Sequence, residues 1–215
     1  MENKDYIEKI EGAERRFVQN NPVLVNKRME GDVELGVVEG YAAKYNQVTT
    51  IGGWFREVIR PGFFDDVLNQ DVRCLKNHDP NYILARSNDK KGTLELFLDD
   101  VGLGYRYTTP DITYAKDLQR SIELGDVSQS SFSFIPSEVR WIEKEDELDT
   151  RELIKCDTLF DVSPVTFPAY QDTSVAKRSH DAFLAEKREK DQTQTPKLDE
   201  YEARRRLLNL KYAKK

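Results

Sequence analysis

Histidine, cysteine, methionine and tryptophan each occur only twice in these 215 residues. The two thiols, Cys74 and Cys156, lie far apart and show no CxxC spacing. That excludes a disulfide framework and leaves no His/Cys cluster to close a zinc site, so two reduced, buried cysteines are expected and no metal. No stretch approaches the ~18 apolar residues of a membrane span. The first residues lack a basic region followed by an apolar run, so neither a secretory signal nor a membrane partner is expected. Of the two histidines, His180 sits in a polar tail, whereas His78 lies in Lys76-Asn77-His78-Asp79-Pro80 between strand-like segments. Any chemistry that needs an imidazole base therefore has essentially one candidate.

What is present is charge, unevenly placed. Apolar residues make up 38% and charged residues 33%, which suits one domain of about 150 residues with poorly buried ends. The chain carries a net −6, yet Lys177 to Lys215 holds 12 Lys and Arg against 7 Asp and Glu, a net of +5. The body is correspondingly acidic and poorly suited to gripping a nucleic-acid backbone, so no nucleic-acid partner is expected. The basic tail suits either an acidic partner or a solvated end.

Residues 1–22 read as a polar extension closed by Asn20-Asn21-Pro22. Strand-like runs rich in Val, Ile, Thr and aromatics follow: Val33–Tyr45, Trp54–Arg60, Val72–Asn77, Ile83–Ser87, Thr93–Leu98, Leu103–Thr108, Val127–Ile135, Val139–Ile142 and Leu153–Phe167. Pro61-Gly62 opens a short predicted helix through Leu68. A second is predicted over Asp111–Leu124, with Ala115, Leu118 and Ile122 at helical spacing and Gly125 as its stop. Glu143–Asp149 reads as a solvated loop and Asp191–Pro196 as a flexible joint. Beyond the joint, Leu198, Tyr201, Leu208 and Tyr212 would form one stripe of a last helix, Leu198–Tyr212, with no core of its own. Many short strands with few helices favour a barrel or sandwich decorated by helices.

Three positions could carry chemistry. In the run Ser128-Gln129-Ser130-Ser131-Phe132-Ser133-Phe134, strand alternation puts Phe132 and Phe134 on one face with Ser130, and Ser131 and Ser133 on the other. Phenylalanines belong in the core, so Ser131 and Ser133 face a cleft or solvent; an ordinary strand with a polar outer face is the alternative. His78 falls in a turn set up by Asn77, Asp79 and Pro80, a platform on which a sheet holds the backbone while the imidazole stays accessible, or simply a surface turn. Asp161, in Leu159-Phe160-Asp161-Val162-Ser163-Pro164, is a carboxylate among apolar residues and must be paired or solvated. Its partner could be the Nδ1–H of a histidine or a lysine at the strand edge.

These pieces fall in an ordered set. Gly40-Tyr41-Ala42-Ala43, Tyr45-Asn46, Phe55-Arg56-Glu57-Val58-Ile59 and Pro61-Gly62-Phe63-Phe64 come first. Asn77-His78-Asp79-Pro80, Pro110-Asp111 to Leu118, Gly125-Asp126-Val127, Ser131-Phe132-Ser133-Phe134 and Val162-Ser163-Pro164-Val165-Thr166-Phe167-Pro168-Ala169-Tyr170 follow. In order and spacing, roughly residues 33–176 resemble the tailed-phage prohead proteases, capsid-maturation serine peptidases distantly related in fold to the herpesvirus assemblins.

The resemblance implies an α+β fold, a mainly antiparallel β-barrel core surrounded by a few helices, with residues 23–176 as the catalytic domain between extensions 1–22 and 177–215. It implies His78 as general base, Ser131 as nucleophile and Asp161 as the group that orients the imidazole, with no cofactor. Assemblins use a second histidine in the third role, which this chain has nowhere but in its tail. Ser133 stands where the family has Gly, Gln129-Ser130 where it has a Gly-hydrophobic pair, and Ala85 where Gly is usual; Ser133 is thus a rival nucleophile. The implied partners are phage scaffold and the major capsid protein precursor, cleaved inside the prohead in the host cytoplasm, with self-cleavage and a homodimer also compatible. Two other readings stand beside it: an inactive assembly module that kept the fold, and a cysteine peptidase using Cys74 or Cys156.

Overall fold

The computed structural model describes residues 10–18, 23–145, 147–167 and 173–194, with 202 and 204–206. The β-branched and aromatic runs form strands: β1 (Glu14–Val18), β2 (Leu24–Glu30), β3 (Val33–Lys44), β4 (Thr49–Ile51), β5 (Phe55–Ile59), β6 (Val72–Lys76), β7 (Asp79–Asn88), β8 (Lys91–Gly92), β9 (Leu94–Leu98), β10 (Gly102–Thr108), β11 (Gln129–Ile142) and β12 (Thr150–Val165). The helices are α1 (Thr113–Glu123) and α2 (Thr173–Gln194). The residues up to Ala176 form one compact unit and those from Lys177 a second, and each is described by itself.

In the first unit, one sheet runs β1-β11-β12-β6-β7-β8, with β5 also pairing β12 and β4 pairing β5. The other runs β2-β3-β10-β9. Pairing is antiparallel except where β12 meets β5 and β6, so the structure is mixed α+β. The core joins Phe63, Phe64, Phe132, Phe134, Leu103 and Tyr105, with Ala115, Leu118 and Ile122 of α1 packed in as their spacing predicts. Gly125 ends that region at φ +81°, and its N–H bonds the Ile122 carbonyl.

Several expectations change. Among the described residues the strands make two open sheets, not the closed barrel. Closure needs a ladder between edge strands, and here β8 has two residues while β2 is exposed along most of its length and carries Lys27 and Arg28, features that keep an edge unpaired. The helix expected from Pro61 to Leu68 is a chain of turns, with Phe63, Asp65 and Val67 N–H groups bonding carbonyls three residues back. Gly62, at φ +93°, departs from helical backbone and prevents a regular i→i−4 ladder. Val127–Ile135 and Val139–Ile142 are joined in the single strand β11, whose pairing with β12 is irregular on both sides of Pro136, where a ladder donor is missing.

The ends also differ. Glu14–Val18, read as part of a polar extension, is an edge strand on β11. Its charged residues hid it from a hydrophobicity pattern because their partners come from distant elements. The polar tail expected from Lys177 to a joint at Asp191 is instead helix as far as Gln194, in α2, which is rich in Ala, Lys, Arg and Glu, residues that lose little freedom in a helix. Leu198, Tyr201, Leu208 and Tyr212, the stripe of the expected last helix, lie outside the described residues.

Candidate active site

His78 is presented by the hairpin between β6 and β7. Lys76 pairs with Asp79, leaving Asn77 and His78 as the two turn residues, at φ +54° and +59°. Positive φ at both central positions matches the twist of a two-residue hairpin, and Asn tolerates it better than most side chains. The turn is tied to the end of β12: Asn77 N–H donates to the Pro164 carbonyl at 3.1 Å, and Thr166 N–H donates to Asn77 Oδ1 at 2.8 Å. The backbone cost of a left-handed histidine is thus met by neighbours that hold one geometry.

The remaining groups come from two adjacent strands. In the β11–β12 ladder Ser131 stands opposite Ser163 and Ser133 opposite Asp161. Residues two apart share a face of a strand, so all four side chains line one side of the sheet. Phe132 and Phe134 take the other side, stacked with centroids 4.8 Å apart and packed edge-on against Phe64 and Phe63. β6 lies beside β12 at Asp161 and Val162, which delivers the following turn above this polar face.

The imidazole bridges the two strands. His78 Nδ1 lies 2.5 Å from Asp161 Oδ1, and Nε2 lies 2.7 Å from Ser131 Oγ. Ser163 Oγ donates to the same Asp161 oxygen at 2.6 Å. Ser133 Oγ is 3.3 Å from Nδ1, on the side of the ring already facing the carboxylate. Burial alone would raise the Asp161 pKa, but the adjacent His78 and the hydrogen bonds from His78, Ser163 and Ser133 bring it below the ordinary carboxylate range. An ionised Asp161 accepts the Nδ1–H and leaves the Nε2 lone pair facing the Ser131 hydroxyl.

The site is closed. Ser131, Ser133, Asp161 and Ser163 have no exposed surface and His78 retains 4%, so the serines face neither solvent nor an open cleft. β1 pairs with β11 alongside them, with Phe17 opposite Ser131 and Arg15 Nε 3.4 Å from Ser133 Oγ, and the Arg16 carbonyl oxygen, 2.9 Å from Ser131 Oγ, is a second acceptor for its one proton. The thiols take no part in these contacts. Both cysteines are buried, and burial pushes the Cys156 thiol up to about 12 and Cys74 well above its ordinary value, opposite to what a thiolate nucleophile requires.

The structure therefore brings His78, Ser131 and Asp161 into one hydrogen-bonded line, although 83 residues separate the outer pair of contacts between His78 and Asp161. Sequence reasoning missed Ser163, which strand parity from Asp161 would have placed on the same face. It also missed a buried charge cluster on the other face of the sheet, where Arg16 lies over the Phe134 ring: Glu14, Arg16, Glu57 and Arg151, each at most 5% exposed. Nothing local marks that cluster, because its four members come from β1, β5 and β12. Among the described residues no group of His, Cys, Asp and Glu is arranged to hold a metal ion.

The family model of the caudovirus prohead serine protease matches residues 23–186. No curated protein matches the chain. Among solved structures, the capsid assembly protease gp21 of bacteriophage T4 is similar at 10% identity and a TM-score of 0.39, over 70% of this chain and 97% of that one. The family match runs through the His78 turn and through β11 and β12, the elements that build the site, and the chain belongs to the caudovirus prohead serine proteases.

Proposed function

We propose that this protein is a serine endopeptidase of capsid maturation, with Ser131 as nucleophile, His78 as general base and Asp161 as the orienting carboxylate. The observation that carries the reading is the continuous contact from Ser131 Oγ through both ring nitrogens of His78 to Asp161, at 2.7 and 2.5 Å. That arrangement supports acyl transfer. Ser131 Oγ attacks the scissile carbonyl carbon as its proton passes to Nε2, and the imidazolium then protonates the departing amine. Asp161 holds the Nδ1–H tautomer and offsets the charge that forms on the ring. A water molecule, deprotonated by the same nitrogen, cleaves the acyl-serine ester and restores the hydroxyl. Ser133 lies on the Nδ1 side and acts as a neighbour of the carboxylate, not as the nucleophile.

Family membership supports substrates drawn from the assembling shell: scaffold and the removable segment of the major capsid protein, cut within the prohead in the host cytoplasm, together with the protease itself. A fluorophosphonate probe with intact-mass readout tests the reading on the full chain. One adduct on wild type, and none on Ser131→Ala or His78→Ala, is expected. Equal labelling of Ser131→Ala would overturn it.

A further inference from the structure

β1 lies along β11 in the way an extended peptide adds to a sheet edge. The register places Glu14 opposite Phe134, Arg16 opposite Phe132 and Phe17 opposite Ser131. The Arg16 carbonyl is thus the one against the Ser131 hydroxyl, its oxygen 2.9 Å from Oγ, which brings the Arg16–Phe17 peptide bond next to the nucleophile.

The side chains of this strand enter a built, buried site. Arg16 grips Glu57 of β5 with two nitrogens, at 2.5 and 3.0 Å, the fork geometry that distinguishes arginine from lysine. Glu14 is gripped likewise by Arg151 of β12, at 2.8 and 2.9 Å. Glu57 and Arg151 also bond each other at 3.1 Å. A cavity of about 30 Å³ adjoins Arg16 and Glu57, so the site is not filled like a close-packed core. Removing β1 takes away Glu14 and Arg16 together, one charge of each sign, and leaves Glu57 and Arg151 still paired. The pair can therefore exchange one strand for another without a stranded charge.

We propose that β1 is a substrate-like strand lodged on β11, and that Glu57 and Arg151 form a specificity site for peptides of sequence Glu-x-Arg whose arginine carbonyl meets Ser131. The inference rests on the serine-endopeptidase reading and deepens it by naming the substrate class. Glu57 selects the basic residue before the cut, and Arg151 the acidic residue two positions earlier. The resident strand is held in an unproductive form. Its carbonyl oxygen competes with His78 Nε2 for the single proton of the Ser131 hydroxyl, the proton that has to pass to His78 for attack.

The chain repeats the pattern in its tail, as Glu186-Lys187-Arg188 and Glu202-Ala203-Arg204. A further copy, Glu138-Val139-Arg140, is protected by the β11–β12 ladder. Self-processing is thereby directed to the bonds after Arg188 and Arg204, each of which has to leave its helical turn before it is cut.

The test uses the full chain and four quenched peptides: one containing Glu-Ala-Arg-Phe, one with Gln for Glu, one with Gln for Arg, and one with both changes. Losing either charge should lower kcat/KM by about 30-fold or more, the usual consequence of leaving one partner of a buried ion pair alone. Glu57→Gln should abolish the preference for Arg while keeping that for Glu, and Arg16→Ala should speed phosphonate labelling of Ser131 by loosening β1. Should Glu57→Gln fail to fold, the wild-type peptide series and intact-mass detection of products ending at Arg188 and Arg204 decide the matter. Ser131 labelling combined with equal rates on all four peptides would overturn the specificity site and leave the endopeptidase reading standing. Absence of any Ser131 labelling, in wild type and in Arg16→Ala, would overturn both.

Discussion

Ser131 and Ser133 are two residues apart, share a face and both touch the same imidazole, so replacing each by alanine separates their roles. Ser131 Oγ is 2.7 Å from Nε2, the nitrogen left with a free lone pair once Nδ1–H is donated to Asp161. Ser133 Oγ is 3.3 Å from Nδ1, whose proton is already committed at 2.5 Å. Ser131→Ala removes the attacking oxygen, and kcat should fall by roughly 10⁴–10⁶-fold, as when a nucleophile that acts as one unit with its base is deleted. Ser133→Ala removes one neutral hydrogen bond beside the carboxylate, worth about 0.5–1.5 kcal/mol. At about 1.4 kcal/mol per tenfold, kcat/KM should fall only about 2- to 12-fold. Both variants should fold, since each loses a single oxygen from a sheet whose opposite face holds Phe132 and Phe134. Hydrolysis of a quenched peptide, with thermal melting as the folding control, measures both. An exchange of the two phenotypes would refute the strand-parity argument and the assignment of Nε2 as the base.

His78→Ala should be as damaging as Ser131→Ala, with the double variant little worse than either, because the pair loses its effect together; additive losses in kcat would separate them. Asp161→Asn keeps the shape but removes a charge-assisted bond worth about 1.5–3 kcal/mol, so kcat/KM should drop by roughly 10- to 150-fold with turnover remaining, and full activity would remove Asp161 from the site. Acid should destabilise the fold. Burial alone would raise Glu14, Glu152 and Asp161, yet paired arginines hold Glu14 and Glu152, and His78 holds Asp161, below the ordinary carboxylate range. Groups depressed in the folded state contribute stability that is fully present above their unfolded values, near 4, and lost as pH falls through the folded ones. The melting temperature should therefore decline below about pH 4, and a flat profile from pH 5 to pH 2 would contradict the ion pairs.

The sequence by itself determined those features that depend on local periodicity and on scarcity. Alternation along 127–135 places Phe132 and Phe134 in the core and Ser131 and Ser133 on the opposite face, because a strand offers a side chain only two directions. Helical spacing predicts the buried Ala115, Leu118 and Ile122 of α1. Rarity singles out His78 and turn chemistry at Asn77 marks a turn there, whereas the pairing of Lys76 with Asp79, which puts Asp79 and Pro80 in β7 and leaves Asn77-His78 as a two-residue turn, belongs to the sheet. Only the tertiary structure decided what covers that face and which charges meet. Whether the strands close is a matter of long-range pairing, and β2 and β8 end open sheets where the resemblance implied a barrel. β1 is charged at Glu14, Arg15 and Arg16, so its hydrophobic pattern is that of a solvated end. It becomes a buried strand only because Glu57 and Arg151, 41 and 137 residues away from Arg16 and Glu14, supply the opposite charges. A buried ion pair is created by its partner, and a partner at that distance leaves no trace in any local window of sequence.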